Sequence, residues 1–166
     1  VSLEDGEDRY VAGQAVPKTI LGSNISFRYK RFDISVQING AFGHKIYNGT
    51  SLTYMNMNIF PDYNVMKKAP KQNIKDQTAT DYWLEKGDYI NFDYLTIGWD
   101  VPLGKSRKYI QSLRLALTVN NLATITGYSG LSPMINSSTV NSTLGVDDKR
   151  GYPLARTYTL GLSINF

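Results

Sequence analysis

The sequence predicts an all-β chain of about five antiparallel strands, arranged as part of the wall of a transmembrane β-barrel. Three observations lead there. Apolar and polar residues alternate along each run, the links between runs are short and long in strict turn, and the apolar phase of the clearest runs carries no charge.

The clearest run is Phe32-Asp33-Ile34-Ser35-Val36-Gln37-Ile38-Asn39, which places Phe32, Ile34, Val36 and Ile38 on one face of a strand. Just before it, Ile25, Phe27 and Tyr29 alternate with Ser26, Arg28 and Lys30, so the two runs read as a hairpin turning near Lys30 and Arg31. The earlier run is the shortest that the pattern marks. A third run starts at Tyr89, with Ile90 and Phe92 in one phase and Leu95, Ile97, Trp99 and Val101 in the other. The slip near Asp93 and Tyr94 reads as a β-bulge. Pro102, Leu103 and Gly104 end this strand and a short basic turn follows. Alternation then resumes with Leu113, Leu115, Leu117 and Val119, and the last run carries Tyr158, Leu160, Leu162, Ile164 and Phe166 on one face.

The links near Lys30 and Gly104 are brief, whereas Gly43 to Gly87 and Leu122 to Ala155 are long. A transmembrane barrel has this order, with short turns on the periplasmic side and longer loops outside. About 9 to 11 tilted residues cross the hydrocarbon layer, and each of the last three runs supplies that length. Trp99, Tyr89, Tyr109 and Tyr158 lie near the ends of the runs, where aromatic girdles sit. Leu115 to Val146 contains no charged residue, yet Asn, Ser, Thr, Gly and Pro break it too often for a spanning helix.

Composition closes several other classes. The 166 residues contain no cysteine and one histidine, which excludes disulfide scaffolds and thiolate chemistry and leaves His44 as a lone ligand at best. A net charge of +4 is dispersed, with no basic block for nucleic acid. Asp147, Asp148, Lys149 and Arg150 read as a solvated loop before the last strand. The sequons at Asn48, Asn136 and Asn141 carry no weight, because so short a pattern recurs by chance. No phosphate loop, nucleophile elbow or catalytic carboxylate pair is present, so no enzyme and no cofactor are expected. The competing architecture is a soluble β-sandwich, a carbohydrate-binding or adhesin-like module, whose loops are normally shorter.

Several segments resemble the SusC/RagA family of TonB-dependent outer-membrane transporters. Tyr89 to Pro102 (YINFDYLTIGWDVP) is similar to the family's strand ending in Gly-aromatic-x-apolar-Pro. Ile110 to Asn121 (IQSLRLALTVNN) resembles its penultimate strand, and Leu122 to Leu131 (LATITGYSGL) the Tyr-Ser-Gly-Leu stretch that follows. The Tyr152-Pro153-x-x-Arg156-x-Tyr158-x-Leu160-Gly161-Leu162 run resembles the closing strand. Four such matches in order cover roughly the last half of the chain.

The resemblance implies that residues 1–166 are the C-terminal end of a barrel of about 22 strands, without its plug or its N-terminal strands. The opening at Val1, with Glu4, Asp5, Glu7 and Asp8 and no initiator Met, fits that expectation. It further implies a place in the bacterial outer membrane and uptake of glycans or other large nutrients. The implied partners are the rest of the barrel and plug, a SusD-like surface lipoprotein, membrane lipid, the outer-membrane assembly machinery, and TonB only through an N-terminal region. The last run, Tyr158 to Phe166, resembles the strand that the assembly machinery reads. In the long links, Tyr54, Tyr63, Tyr82, Trp83 and Tyr128 are the candidate substrate or lid contacts, against an equal expectation that they pack inside the folded loops.

Overall fold

The computed structural model describes residues 10–104, 109–134, 144–149 and 151–166. The acidic opening, the basic turn after Gly104, Arg150 and the sequons at Asn136 and Asn141 lie outside them. The chain divides into two units: Thr19–Ala41, Tyr89–Thr126 and Leu154–Phe166 form one, and Val1–Lys18, Phe42–Asp88 and Gly127–Pro153 the other.

The first unit is a five-stranded antiparallel sheet of β1 (Thr19–Tyr29), β2 (Phe32–Phe42), β5 (Tyr89–Asp100), β6 (Ser112–Thr126) and β8 (Thr157–Asn165), in that spatial order. Each expected run is a strand. The turn between β1 and β2 falls at Lys30, whose φ of 55° is the left-handed conformation that closes so tight a hairpin. The bulge is also present: Gln37 and Ile38 of β2 face Tyr94 and Phe92 of β5, leaving Asp93 as the extra residue.

Some boundaries differ from the sequence reading. β1 begins at Thr19 and has 11 residues, so β8, with 9, is the shortest of the five. β6 continues to Thr126, so the second long link starts five residues later than Leu122.

Register fixes the faces, because directly paired residues share a side. One side carries the rows Phe32, Trp99, Leu115, Leu162; Ile34, Ile97, Leu117, Leu160; and Val36, Leu95, Val119, Tyr158. Phe32 and Trp99 stack there with centroids 5.8 Å apart. Phe32, Ile34, Ile97, Leu117, Tyr158, Leu160 and Leu162 of this face are exposed, Leu160 at 75%, while Val119 near its centre is buried. The opposite side is polar: Ser26 bonds Ser35 at 3.0 Å, Asn24 donates to Tyr94 at 2.7 Å, and Thr96 bonds Thr118 at 2.9 Å.

The second unit has a small sheet, formed within the long links where no alternation marks a strand, of order β4 (Leu84–Lys86), β3 (Lys45–Asn48) and β7 (Val146–Asp147). Two short helices, α1 (Gly49–Tyr54) and α2 (Ala69–Gln72), accompany it. Its core is Met55, Ala69 and Trp83, packed by Tyr47, Leu52, Met57, Val65, Met66 and Ile74.

Candidate functional site

The long links fold around a buried polar network. Asn48, fully buried at the end of β3, accepts from Ser51 N at 2.8 Å and so caps α1. Its amide donates to Glu85 of β4 at 2.8 Å and to Ser129 at 3.2 Å. Ser129 in turn donates to Glu85 from its amide, 2.8 Å, and its hydroxyl, 2.7 Å. A second cluster centres on Asp147 of β7, which accepts from Thr50 and from Tyr128, both at 2.7 Å, and from Lys149 N at 3.2 Å. Asp147 is 3% exposed. It is therefore no part of a solvated loop, because charges this deep persist when hydrogen-bonded donors replace water. Burial first, and Asp147 second, push the Tyr128 phenol far above its ordinary range. These pairs, Asn48 with Ser129 and Thr50 with Asp147, join the first long link to the second.

Beside this network is a cleft of about 370 Å³, lined by Ser51, Met55, Met66, Lys67, Lys68, Gln72, Tyr82, Trp83, Glu85 and Ser129. Its size falls at the small end of ligand sites, which run from about 300 to 1,000 Å³.

The structure separates the five aromatic candidates. Tyr82 is 61% exposed and meets Trp83 edge-on at 4.8 Å, and both line the cleft. Trp83 itself belongs to the core and donates its indole N–H to Thr78 O at 3.3 Å. Tyr128 is buried, Tyr63 is exposed, and Tyr54 ends α1 half-buried. Only Tyr82 and Trp83 are brought together at the cleft. Lys67, Lys68, Asn48, Glu85 and Asp147 were missed as site residues. The partners of Asn48, Glu85 and Asp147 lie up to 97 residues away, and no local spacing announces such pairs.

On β8, Tyr158, Leu160, Leu162 and Ile164 share the exposed apolar face, and Phe166 lies one residue past the strand end. Of the girdle candidates, Tyr89 opens β5 and Trp99 precedes its end, Tyr158 is the second residue of β8, and Tyr109 lies between β5 and β6. His44 is buried, and among the described residues no group of three or more His, Asp or Glu is placed to hold a metal.

The polar side of the sheet holds an ion-pair ladder at its hairpin end. Arg28 of β1 meets Asp100 of β5 at 2.6 Å, and Arg114 of β6 meets Asp100 at 3.0 Å and Asp33 of β2 at 2.8 Å. To reach Asp33, Arg114 crosses β5 above Gly98, where a Cβ would lie 2.2 Å from its Nη2. Glycine in the Gly-Trp-Asp-Val-Pro motif thus leaves the path that this guanidinium occupies.

A sheet with one exposed apolar face, one polar face, and alternating short and long connections is the wall of a β-barrel. No family model matches the chain. TonB-dependent receptor P3 of Formosa agariphila is 29% identical, with 96% of this chain and 17% of the receptor covered. SusC, a TonB-dependent receptor of Bacteroides thetaiotaomicron, is 24% identical over 98% of this chain and 16% of its own. The chain thus spans about a sixth of the curated relatives it matches. Among solved structures, the RagAB peptide importer in its closed-closed state superimposes with a TM-score of 0.72 at 18% identity, covering 92% of this chain and 18% of that one. Its open-open state gives 0.66 at 19%, covering 91% and 17%. The chain is SusC/RagA-like in sequence and has the fold of a stretch of the RagAB barrel.

Proposed function

We propose that the chain is the C-terminal wall of an outer-membrane, TonB-dependent transporter that imports glycans or other large nutrients. The observation that carries this reading is the uncharged apolar face, with exposed apolar side chains on each of β1, β2, β5, β6 and β8, behind a polar, hydrogen-bonded one. Lipid would solvate the first face and a wet lumen the second. A soluble sandwich would bury the apolar side against a second sheet, and Leu160 and Leu162 stand open. That no helix among the described residues is long and apolar enough to cross a membrane is compatible with crossing by strands.

In this reading residues 1–166 are barrel wall, and the plug, the remaining strands and the TonB-contacting region belong to the rest of the receptor. The two long links face outward, toward cargo and a SusD-like lipoprotein lid, with Tyr82 and Tyr63 as exposed aromatic contacts. Tyr54, Trp83 and Tyr128 would support those contacts from within the loops. The closing strand, Tyr158 to Phe166, would be the assembly signal and pair through its open edge.

The test uses the full gene with its native start in an outer-membrane host. The product is expected in the outer membrane, migrating differently on a gel before and after heating. The 166 residues lack cysteine, so single cysteines here report topology against the corresponding cysteine-free receptor. Tyr63→Cys should react with a membrane-impermeant maleimide on intact cells and Lys30→Cys should not. Equal labelling of both would sink the topology.

A further inference from the structure

We infer that the cleft between α2 and the Tyr82–Trp83 turn takes an acid-bearing sugar unit, carboxylated or sulfated, with Lys67 and Lys68 on the acid group and Tyr82 against the ring. The inference rests on the transporter reading above and narrows its cargo to an anionic glycan.

Charge carries the argument. Residues 67–75 contain four lysines, Lys67, Lys68, Lys71 and Lys75, and no carboxylate. Among the described residues none of these four side chains forms an ion pair, and the ion pairs between described residues belong to Arg28 and Arg114 in the sheet. Two of the four line the cleft. The cleft's own acid, Glu85, has both oxygens engaged by Asn48 and Ser129 and is tied to them rather than to a lysine, so Lys67 and Lys68 against one carboxylate leave the cleft with positive charge in excess. An ammonium is a compact point charge that accepts a carboxylate or a sulfate ester alike, without the planar match that a guanidinium demands.

The remaining lining fits a sugar. Tyr82 presents an exposed ring held edge-on against Trp83, while Met55 and Met66 add apolar floor. The Gln72 amide and the Ser51 hydroxyl supply polar donors and acceptors. A volume of about 370 Å³ has room for a ring or two and excludes a folded partner.

The experiment is calorimetric titration of the full-length purified receptor with three oligosaccharides of equal length: an oligogalacturonate, a sulfated galactan oligomer and a neutral galactan oligomer. One of the two anionic ligands should bind more tightly than the neutral one, and that preference should shrink as salt rises. Which anion wins distinguishes carboxylate from sulfate. Lys67→Gln with Lys68→Gln should weaken the anionic ligand about tenfold and leave the neutral one unchanged, and Lys67→Arg with Lys68→Arg should retain most of the affinity. Unchanged heat-modifiable migration establishes that each variant is folded. Binding that ignores charge and the glutamine variants overturns the anionic inference and leaves glycan import standing. Binding of an acidic peptide by the same lysines, with no oligosaccharide bound, overturns the sugar and the glycan reading together.

Discussion

The two units of the chain solve opposite problems. The sheet shows its apolar residues and ties its polar ones into ladders, whereas the loop unit hides Met55, Ala69 and Trp83 and buries Asn48 and Asp147 beside them. On the transporter reading, the sheet's apolar side meets a solvent that is itself apolar. The loop unit is organised for water, with an apolar core and a hydrogen-bonded polar network around Asn48 and Asp147. The same chain therefore carries two rules for where a leucine belongs, and its strand register decides which applies.

Breaking one unit should spare the other. Asp147→Ala leaves the Thr50 and Tyr128 hydroxyls without their acceptor and should cost the loop unit about 3 to 5 kcal/mol. Hydrogen exchange should accelerate across residues 45–86, 127–134 and 144–149 while the β5 and β6 amides stay protected. Loss of protection in both would show that the units are not independent. High pH should act on the same cluster. The Tyr128 phenol is raised, so its contribution is complete below the usual tyrosine pKa near 10 and is lost as pH rises beyond it. Loop exchange should therefore quicken above about pH 10, and Tyr128→Phe should blunt that response.

Leu117→Arg puts a charge in a central row of the apolar face and should cost about 2 to 4 kcal/mol of barrel stability. The readout is loss of the heat-modifiable form from the outer membrane; Tyr63→Arg, in an exposed loop position, should be silent. Equal tolerance of both would show that the face does not meet lipid. Gly98→Ala should cost about 1 to 3 kcal/mol by displacing Arg114, measured as a lower temperature of the gel transition. The smallest effect belongs to Arg28→Gln, whose exposed pair with Asp100 should be worth no more than about 1 kcal/mol on the same assay.

The strands were legible because period-2 alternation is a local signal: Phe32 to Asn39 needs nothing beyond itself to be read. Even the bulge at Asp93 showed as a change of phase. The start of β1 was not, since Thr19 to Asn24 (TILGSN) places Ile20 and Leu21 side by side and breaks the alternation. The end of β6 was hidden by Asn120 and Asn121, residues that usually close a strand; here Asn121 takes φ 51° and donates to Ala155 O at 2.7 Å while the strand runs on. The loop unit was nearly opaque. Its strands have 2 to 4 residues, too few for a period, and its stability comes from partners distant in sequence. Of the candidate site, aromatic side chains in the long links could be named, but which of them face a cleft depended on Trp83 joining Met55 and Ala69 in a core.

The missing side chain at position 98 has a mechanical consequence. Sliding one strand past its neighbour by two residues keeps every leucine on the apolar side, so the apolar pattern alone cannot forbid it. Arg114, reaching across β5 to Asp33 while also holding Asp100, acts as a pawl: the same slip would carry the guanidinium away from both carboxylates. Hydrophobic alternation selects which way the wall faces, and one glycine-sized gap selects the notch in which it locks.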